Sequence, residues 1–271
     1  MTLTELVRLT FAEDLGPGDL TSDSCVPEDA LGSGRIYSKQ TLVVSGLAAA
    51  AECFGQMGVS FTPLVADGVS VASGTDVARI EGSLRRILKA ERPALNFLMR
   101  LSGIATHTHA VVAAAEGRVR VVCTRKTTPL HRSLEKAAVR HGGGHNHRHG
   151  LFDGVMIKDN HIIAAGGITA AVRAARANIH HLVKIEVEVE DLEELREAML
   201  AGADVVLLDN MDDDTLARAV AVNAGHCLLE ASGNMDAARI AALKDHGLDV
   251  ISVGGLIHQA RWVDLSLRLN A

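Results

Sequence analysis

Aromatic side chains are scarce in this chain: 3% of 271 residues, with a single Trp and a single Tyr. A core without rings must be filled by Val, Ile, Leu and Ala, which suits helix-on-sheet layers whose small side chains let backbones approach. Cysteine is sparse too. Cys25, Cys53, Cys123 and Cys227 are scattered without a CxxC pair, which excludes a disulfide framework and points to a reducing compartment. No apolar run approaches the length of a membrane span. Positive charge is not in excess either. The formal net charge of −6 argues against nucleic acid or an anionic membrane held by bulk attraction, so any bound anion must meet a local cationic patch. The first twelve residues carry Glu5 and Arg8 with no long apolar stretch, unlike a signal peptide. The expectation is a soluble cytoplasmic protein.

What is present is ample apolar content: 48% hydrophobic and 22% charged, enough for one large domain or two modest ones. Residues 3–13 are spaced as a helix, and Asp14-Leu15-Gly16-Pro17-Gly18-Asp19 breaks it. Short strand patterns follow at 35–38, 42–44, 59–65 and 77–80, interrupted by a helix over 47–57 with Ser45 as its expected N-cap. A long amphipathic helix starts near Leu84 and reaches Leu101. After Thr106 the rhythm changes. Apolar runs at 119–123, 154–157, 182–189, 204–208, 227–231 and 249–253 alternate, in their later part, with helical patterns at 168–177, 192–200, 215–223 and 237–245. Strand and helix in turn mean βαβ units and a parallel sheet.

Two sheets satisfy that rhythm, and the strand ends separate them. They carry Arg125-Lys126, Lys158-Asp159-Asn160-His161, Glu188, Asp209-Asn210, Ser232-Gly233 and Gly254-Gly255. In a β/α barrel all C-terminal strand ends share one mouth, whereas in an open sheet they spread along an edge. The barrel is therefore expected, incomplete because only six strands are plain. Alternation at Val263, Leu265, Leu267 and Leu269 predicts a last strand returning to the N-terminal sheet.

Chemistry concentrates in few segments. Arg125, Lys126, Arg140, His147, Arg148 and Lys158 gather cations in a net-acidic chain, which suggests a small polyanion. The triplet Gly142-Gly143-Gly144 suggests unusual dihedrals or close backbone approach to a ligand. His141, His145, His147 and His149 match no zinc spacing, and interleaved arginines oppose a cation. Glu186 and Glu188 point to one face of their strand, and a lumen-facing glutamate needs something to bind. With Asp209, Glu188 fits a divalent cation shared with pyrophosphate. Ser232-Gly233 and Gly254-Gly255 offer backbone N–H groups to phosphate, or form ordinary turns. Arg92, on an amphipathic helix, has the spacing of a solvated residue.

The ordered set resembles the quinolinate phosphoribosyltransferases, also called carboxylating nicotinate-nucleotide pyrophosphorylases. It comprises Glu13 to Gly16, Gly18 to Thr21, Glu91-Arg92, Asn96 to Leu98, Leu101 to Thr106, Thr124 to Pro129, Glu135-Lys136, Ala138 to Arg140, Gly142 to Arg148, Ile157 to His161, Glu186 to Val189, Leu208 to Met211 and Glu230 to Gly233. The resemblance implies an N-terminal α/β sandwich over 1–106, joined by a C-terminal strand at 260–271. It places an incomplete, seven-stranded, TIM-like β/α barrel over 107–259. It also implies a homodimer, or a higher oligomer, in which Arg92 enters the partner's site. Quinolinate would meet Arg125, His147, Arg148 and Lys158, with Arg92 from the neighbour. Phosphoribosyl pyrophosphate and Mg2+ would be held by Lys126, Glu188, Asp209, Ser232, Gly233, Gly254 and Gly255. Catalytic work would fall to Lys126, Lys158, Glu188 and Asp209, and no organic cofactor is implied.

The chain departs from the family's usual pattern at Cys123 (commonly Asp), Leu130-His131 (Gly-Leu), Ala137 (Tyr) and His141 (Cys). Paralogues linked to molybdate transport share Cys-Thr-Arg-Lys but generally lack the His-Asn-His-Arg and Ile-Lys-Asp-Asn-His segments found here, so an acceptor other than quinolinate is the first alternative. A Schiff-base barrel aldolase using Lys158 is the second. An anion sensor without turnover is the third, opposed by the two acids beside the cationic rim.

Overall fold

The structure, a computed structural model, describes residues 1–270. In chain order the elements are α1 (Leu3–Leu15), α2 (Leu20–Cys25), β1 (Leu31–Ser38), β2 (Leu42–Val43), α3 (Leu47–Gln56), β3 (Ser60–Pro63), β4 (Ser70–Val71), β5 (Asp76–Ser83) and α4 (Leu84–Ala113). Then come β6 (Arg120–Val122), α5 (Arg132–His141), β7 (Val155–Ile157), α6 (Asp159–Ala165), α7 (Ile168–Asn178), β8 (Ile185–Val189) and α8 (Leu192–Ala201). The chain ends with β9 (Val205–Asp209), α9 (Asp213–Asn223), β10 (Leu228–Ser232), α10 (Ala237–Leu243), β11 (Val250–Ser252), α11 (Gly255–His258) and β12 (Leu265–Leu269). Two compact units divide it. The first takes Met1–His109, Thr128–Gly143 and the chain from Gln259, and the second takes Ala110–Thr127 and Gly144–His258. Among the described residues no helix is long and apolar enough to cross a membrane.

The first unit is built on an antiparallel sheet in the order β12-β1-β5-β3. The returning strand expected from the C-terminal alternation is β12, which pairs Leu265 with Ser38 and Leu269 with Gly34. Ile36, Ile80, Phe54, Ile87 and Leu98 are fully enclosed, and Phe54 stacks on Phe61. Two polar groups also sit deep. Glu135, 1% exposed, accepts the Arg100 guanidinium at 2.9 Å and the Thr128 N–H and hydroxyl, each at 2.8 Å. Arg100 also donates to the Ala260 carbonyl at 3.0 Å. An ion pair this buried persists only because its lone pairs and protons are satisfied.

Three local readings change here. Gly46, in the left-handed region at φ 104°, is the N-cap of α3, and Ser45 instead donates its N–H to Ser102 Oγ at 2.9 Å and meets His141 Nδ1 through its Oγ at 2.8 Å. The long helix runs on to Ala113. The glycine triplet has structural reasons: a side chain on Gly142 would strike the Ala105 carbonyl and Thr108, and Gly143 has φ 87°. Helices α2, α5, α6 and α11 were not foreseen: at four to seven residues α2, α6 and α11 show no helical period, and the ten residues of α5 drew notice only for their charged motif.

The second unit carries a wholly parallel sheet in the order β6-β11-β10-β9-β8-β7. All six apolar runs became its strands. A seventh position is filled by a single parallel bridge from Val122 to His145. Asp191, Asp212 and Asp236 cap α8, α9 and α10, so each crossover stops at a carboxylate receiving helix N–H groups. Val187, Val206, Leu208, Leu229, Ala231 and Ile251 are buried on one sheet face. Register places Glu188, Leu207, Glu230 and Val250 side by side on the other.

That other face is concave. At ~4.8 Å per strand, a flat sheet would hold the His145 bridge about 14 Å from β10 and about 24 Å from β8. Yet His147 Nε2 lies 3.1 Å from Glu186 on β8 and 3.6 Å from Glu230 on β10. The sheet is rolled, as in the expected incomplete barrel.

Within the first unit, Gly103 of α4 is buried against the backbone of Arg261 and Trp262, leaving no room for a methyl group. Gly→Ala in an open helix stabilises by about 1 kcal/mol. Here overlap with the Arg261 carbonyl reverses the sign: urea unfolding of Gly103→Ala should show a loss of about 2 kcal/mol.

Candidate active site

Strand period brings the acids together. Glu186 and Glu188 alternate with Ile185, Val187 and Val189 on β8, and Glu230 alternates with Leu229 and Ala231 on β10, so all three face the hollow of the rolled sheet. Lys158 follows β7 directly, one residue beyond the Ile157–Val187 pair, and its ammonium is ion-paired with Glu188. His147 meets the two deeper acids. Its Nδ1 accepts the Arg148 N–H at 2.7 Å, which leaves the neutral ring's proton on Nε2, facing Glu186.

His147, Glu186 and Glu230 form the one grouping of His, Cys or acidic ligand atoms close enough for a metal among the described residues. Their electrostatics favour protons. Burial pushes the Glu230 carboxyl up to about 7, and the charge of Glu186 adds to it. Burial alone would lower His147, but the hydrogen bond and charge of Glu186, with the charge of Glu230, outweigh it and raise it. Glu230 was missed in the sequence, although its place in an apolar alternating run carried the same signal as Glu186.

The cations lie beside this trio. Burial lowers the Arg148 guanidinium, and the positive charge of Arg125 lowers it further. Both Nε–H groups are buried without a protein partner. Arg148 also donates to the Gly154 carbonyl at 3.0 Å, and its loop is closed by Asp153, which accepts the N–H groups of His149 and Gly150 at 2.6 and 2.9 Å. Cys123 sits beneath, its thiol 3.2 Å from Asn146 Oδ1. A thiol there donates to the Asn carbonyl, where the family's usual aspartate would take its amide.

The other expected residues gather at the strand tips of the same unit. Asp209 pairs in register with Ser232, and its Oδ2 accepts the Asn210 amide at 2.7 Å. Gly233 has φ 97° and lies against Asn210. Lys126 is exposed and lies over Gly254, where a Cβ would come within 3.3 Å of its Nζ, and Gly255 opens α11. Arg92 and Arg140 stand in the first unit, exposed on α4 and α5. A second missed residue, Arg239, ties the tips of β9 and β10 and is taken up below.

The Quinolinate phosphoribosyl transferase models match both parts, the N-terminal domain over residues 19–102 and the C-terminal domain over 104–268. The chain belongs to this family. As a quinolinate phosphoribosyltransferase family member it is 41% identical over 270 residues to the probable carboxylating nicotinate-nucleotide pyrophosphorylase of Bacillus subtilis, covering 98% of this chain and 93% of that one. Its identity to the Synechocystis protein of the same name is 44% over 265 residues, 96% and 90% of the two chains. Crystal structures of NadC from Streptococcus pyogenes and the nicotinate-nucleotide pyrophosphorylase from Francisella tularensis superpose with TM-scores of 0.95 and 0.94. They are 38% and 39% identical, and each comparison covers 99% of this chain and 96% of the other.

The buried trio makes stability pH-dependent. A folded chain whose Glu230 and His147 titrate above their ordinary values holds protons that the unfolded chain has released. Stability therefore falls as pH rises from Glu230's ordinary value of 4.5 to about 7. Urea unfolding at pH 5 and pH 8 should show a flatter dependence in Glu230→Gln, by up to about 3 kcal/mol. Parallel profiles for the two proteins would contradict this assignment.

Proposed function

We propose that this enzyme transfers phosphoribose from phosphoribosyl pyrophosphate to quinolinate, releasing pyrophosphate and CO2 and forming nicotinate mononucleotide. The observation that carries the reading is the pair of buried, unpartnered Nε–H donors on Arg125 and Arg148, in the unit that also holds His147 and Lys158. Such a pair is costly until carboxylates pair with it, and an aromatic diacid supplies two at fixed separation. The named relatives are nicotinate-nucleotide pyrophosphorylases, or quinolinate phosphoribosyltransferases in tobacco plants.

The donor falls to the strand tips. Lys126 over Gly254 supplies a movable charge for pyrophosphate. Glu188 and Asp209 fit a magnesium ion in part: both are hard oxygen donors, and each has one oxygen engaged, by Lys158 and Asn210, leaving the other without a protein partner. Bound there with the donor's phosphates, magnesium would neutralise charge on the leaving pyrophosphate. The C1–oxygen bond breaks with its electron pair going to pyrophosphate, and Glu188 and Asp209 stabilise the positive ribosyl carbon. The pyridine nitrogen forms the new bond to C1 and becomes cationic. The C2–carboxylate bond then breaks, CO2 leaves, its electron pair passes to the ring, and a proton from solvent completes C2. The arginines hold the ring so that nitrogen faces C1.

The aldolase alternative fares worse, because Lys158 is ion-paired to Glu188 as an ammonium, with no lone pair to attack a carbonyl. The reading extends to a cytoplasmic homodimer in which Arg92 serves the partner's quinolinate site, supported by the exposure of Arg92 on α4 and by four free cysteines.

Purified protein given quinolinate, phosphoribosyl pyrophosphate and Mg2+ should release CO2 and nicotinate mononucleotide in equal amounts. Arg148→Ala should raise KM for quinolinate about ten- to a hundredfold, the worth of one desolvated charged contact, while Glu188→Ala should mainly lower kcat. Mixing Arg92→Ala and Arg125→Ala subunits should recover activity that neither has alone, and absence of recovery counts against the shared site.

A further inference from the structure

The tips of β9 and β10 are held in a demanding conformation. Asn210, Gly233 and Asn234 all have positive φ, at 53°, 97° and 49°. Asparagine enters that region more readily than other side chains, so the local sequence permits both turns and leaves their spacing to tertiary contacts. Gly233 is pressed so close to Asn210 that a Cβ would lie 2.7 Å from Asn210 Cγ and 3.0 Å from its Cα. The Asn210 N–H reaches the Ser232 carbonyl at 3.1 Å, which draws the tips together but fixes neither turn.

Arg239 fixes both. From α10 its Nη1 donates to the Gly233 carbonyl at 2.8 Å and its Nη2 to the Met211 carbonyl at 2.6 Å, with Asp213 Oδ1 3.5 Å away. Its own N–H is held by Asp236 Oδ1 at 2.8 Å, and its side chain is only 24% exposed. One planar fork thus spans two carbonyls from two different βα turns, which a lysine, with a single point charge, cannot do. Drawing the Gly233 carbonyl toward α10 turns the N–H of the same peptide, that of Asn234, the opposite way, and among the described residues no backbone carbonyl accepts it.

We infer that Arg239 is a positioning residue for the phosphoribosyl donor: it sets the spacing between Asp209 and the Ser232-Gly233 turn without touching substrate. The inference rests on the transferase reading above and adds to it a residue that sets donor affinity alone. The acceptor cations Arg125, His147, Arg148 and Lys158 stand on other strand tips and are not tied to Arg239.

The test is steady-state kinetics of the full-length enzyme with Mg2+, varying each substrate at saturation of the other, on Arg239→Ala and Arg239→Lys. The expected result is a KM for phosphoribosyl pyrophosphate raised at least tenfold in Arg239→Ala and at least fivefold in Arg239→Lys. KM for quinolinate should stay within twofold. Arg239→Lys decides if Arg239→Ala fails to fold, as judged by its thermal melt. An active wild type with wild-type donor KM in Arg239→Lys overturns this inference alone, because charge without the fork would then suffice. An equal rise in both KM values also overturns it, since that reports general damage. A wild-type chain that forms no nicotinate mononucleotide overturns the transferase reading and this inference with it.

Discussion

Three glutamates on the concave face of a rolled parallel sheet are the constraint around which the second unit is organised. Glu186 and Glu230 are almost wholly buried, and Glu188 is largely so. An isolated carboxylate in such a place would cost several kcal/mol, so each must keep a partner or a proton. Lys158 answers Glu188, and His147 answers the other two. The backbone makes this arrangement cheap to build. Strand period turns the acids inward, register sets them level, and the curl brings a seventh segment across to meet them.

A net-negative chain gathers an anion only through a local concentration of cations. Arg125, Arg148, Lys158 and His147 belong to one unit, and burial together with the charge of Arg125 lowers the Arg148 guanidinium. The charge of Glu186 offsets part of that repulsion. Asp209, Ser232, Gly233 and Gly254 lie at or just beyond the tips of β9, β10 and β11, with Lys126 over Gly254.

Some features that looked functional in the sequence have structural causes. The glycine triplet lets the chain pass α4 and turn, and Glu135 of the family pattern anchors Arg100 and Thr128 inside the first unit. The reverse also holds. Arg239 has the spacing of an ordinary helix arginine, yet it clamps two turns, and Glu230, which the sequence placed in the family pattern without a role, completes the trio with His147. A side chain's neighbours across the fold, not along the chain, separate these cases.

The sequence by itself determined the parallel strands and long helices, the returning C-terminal strand, and the family. Apolar period and ordered motifs are local properties, readable without knowing which segments meet. It also named the cationic tips and Glu188, because charged residues ending apolar strands are conspicuous wherever the sheet goes. Only the tertiary structure decided that the sheet rolls far enough for His147 to reach Glu186 and Glu230, that Arg125 and Arg148 each bury an unpartnered donor, and that Arg239 spans two turns. Those pairings join residues tens of positions apart, and no local propensity encodes the curvature and register that bring them within hydrogen-bond reach.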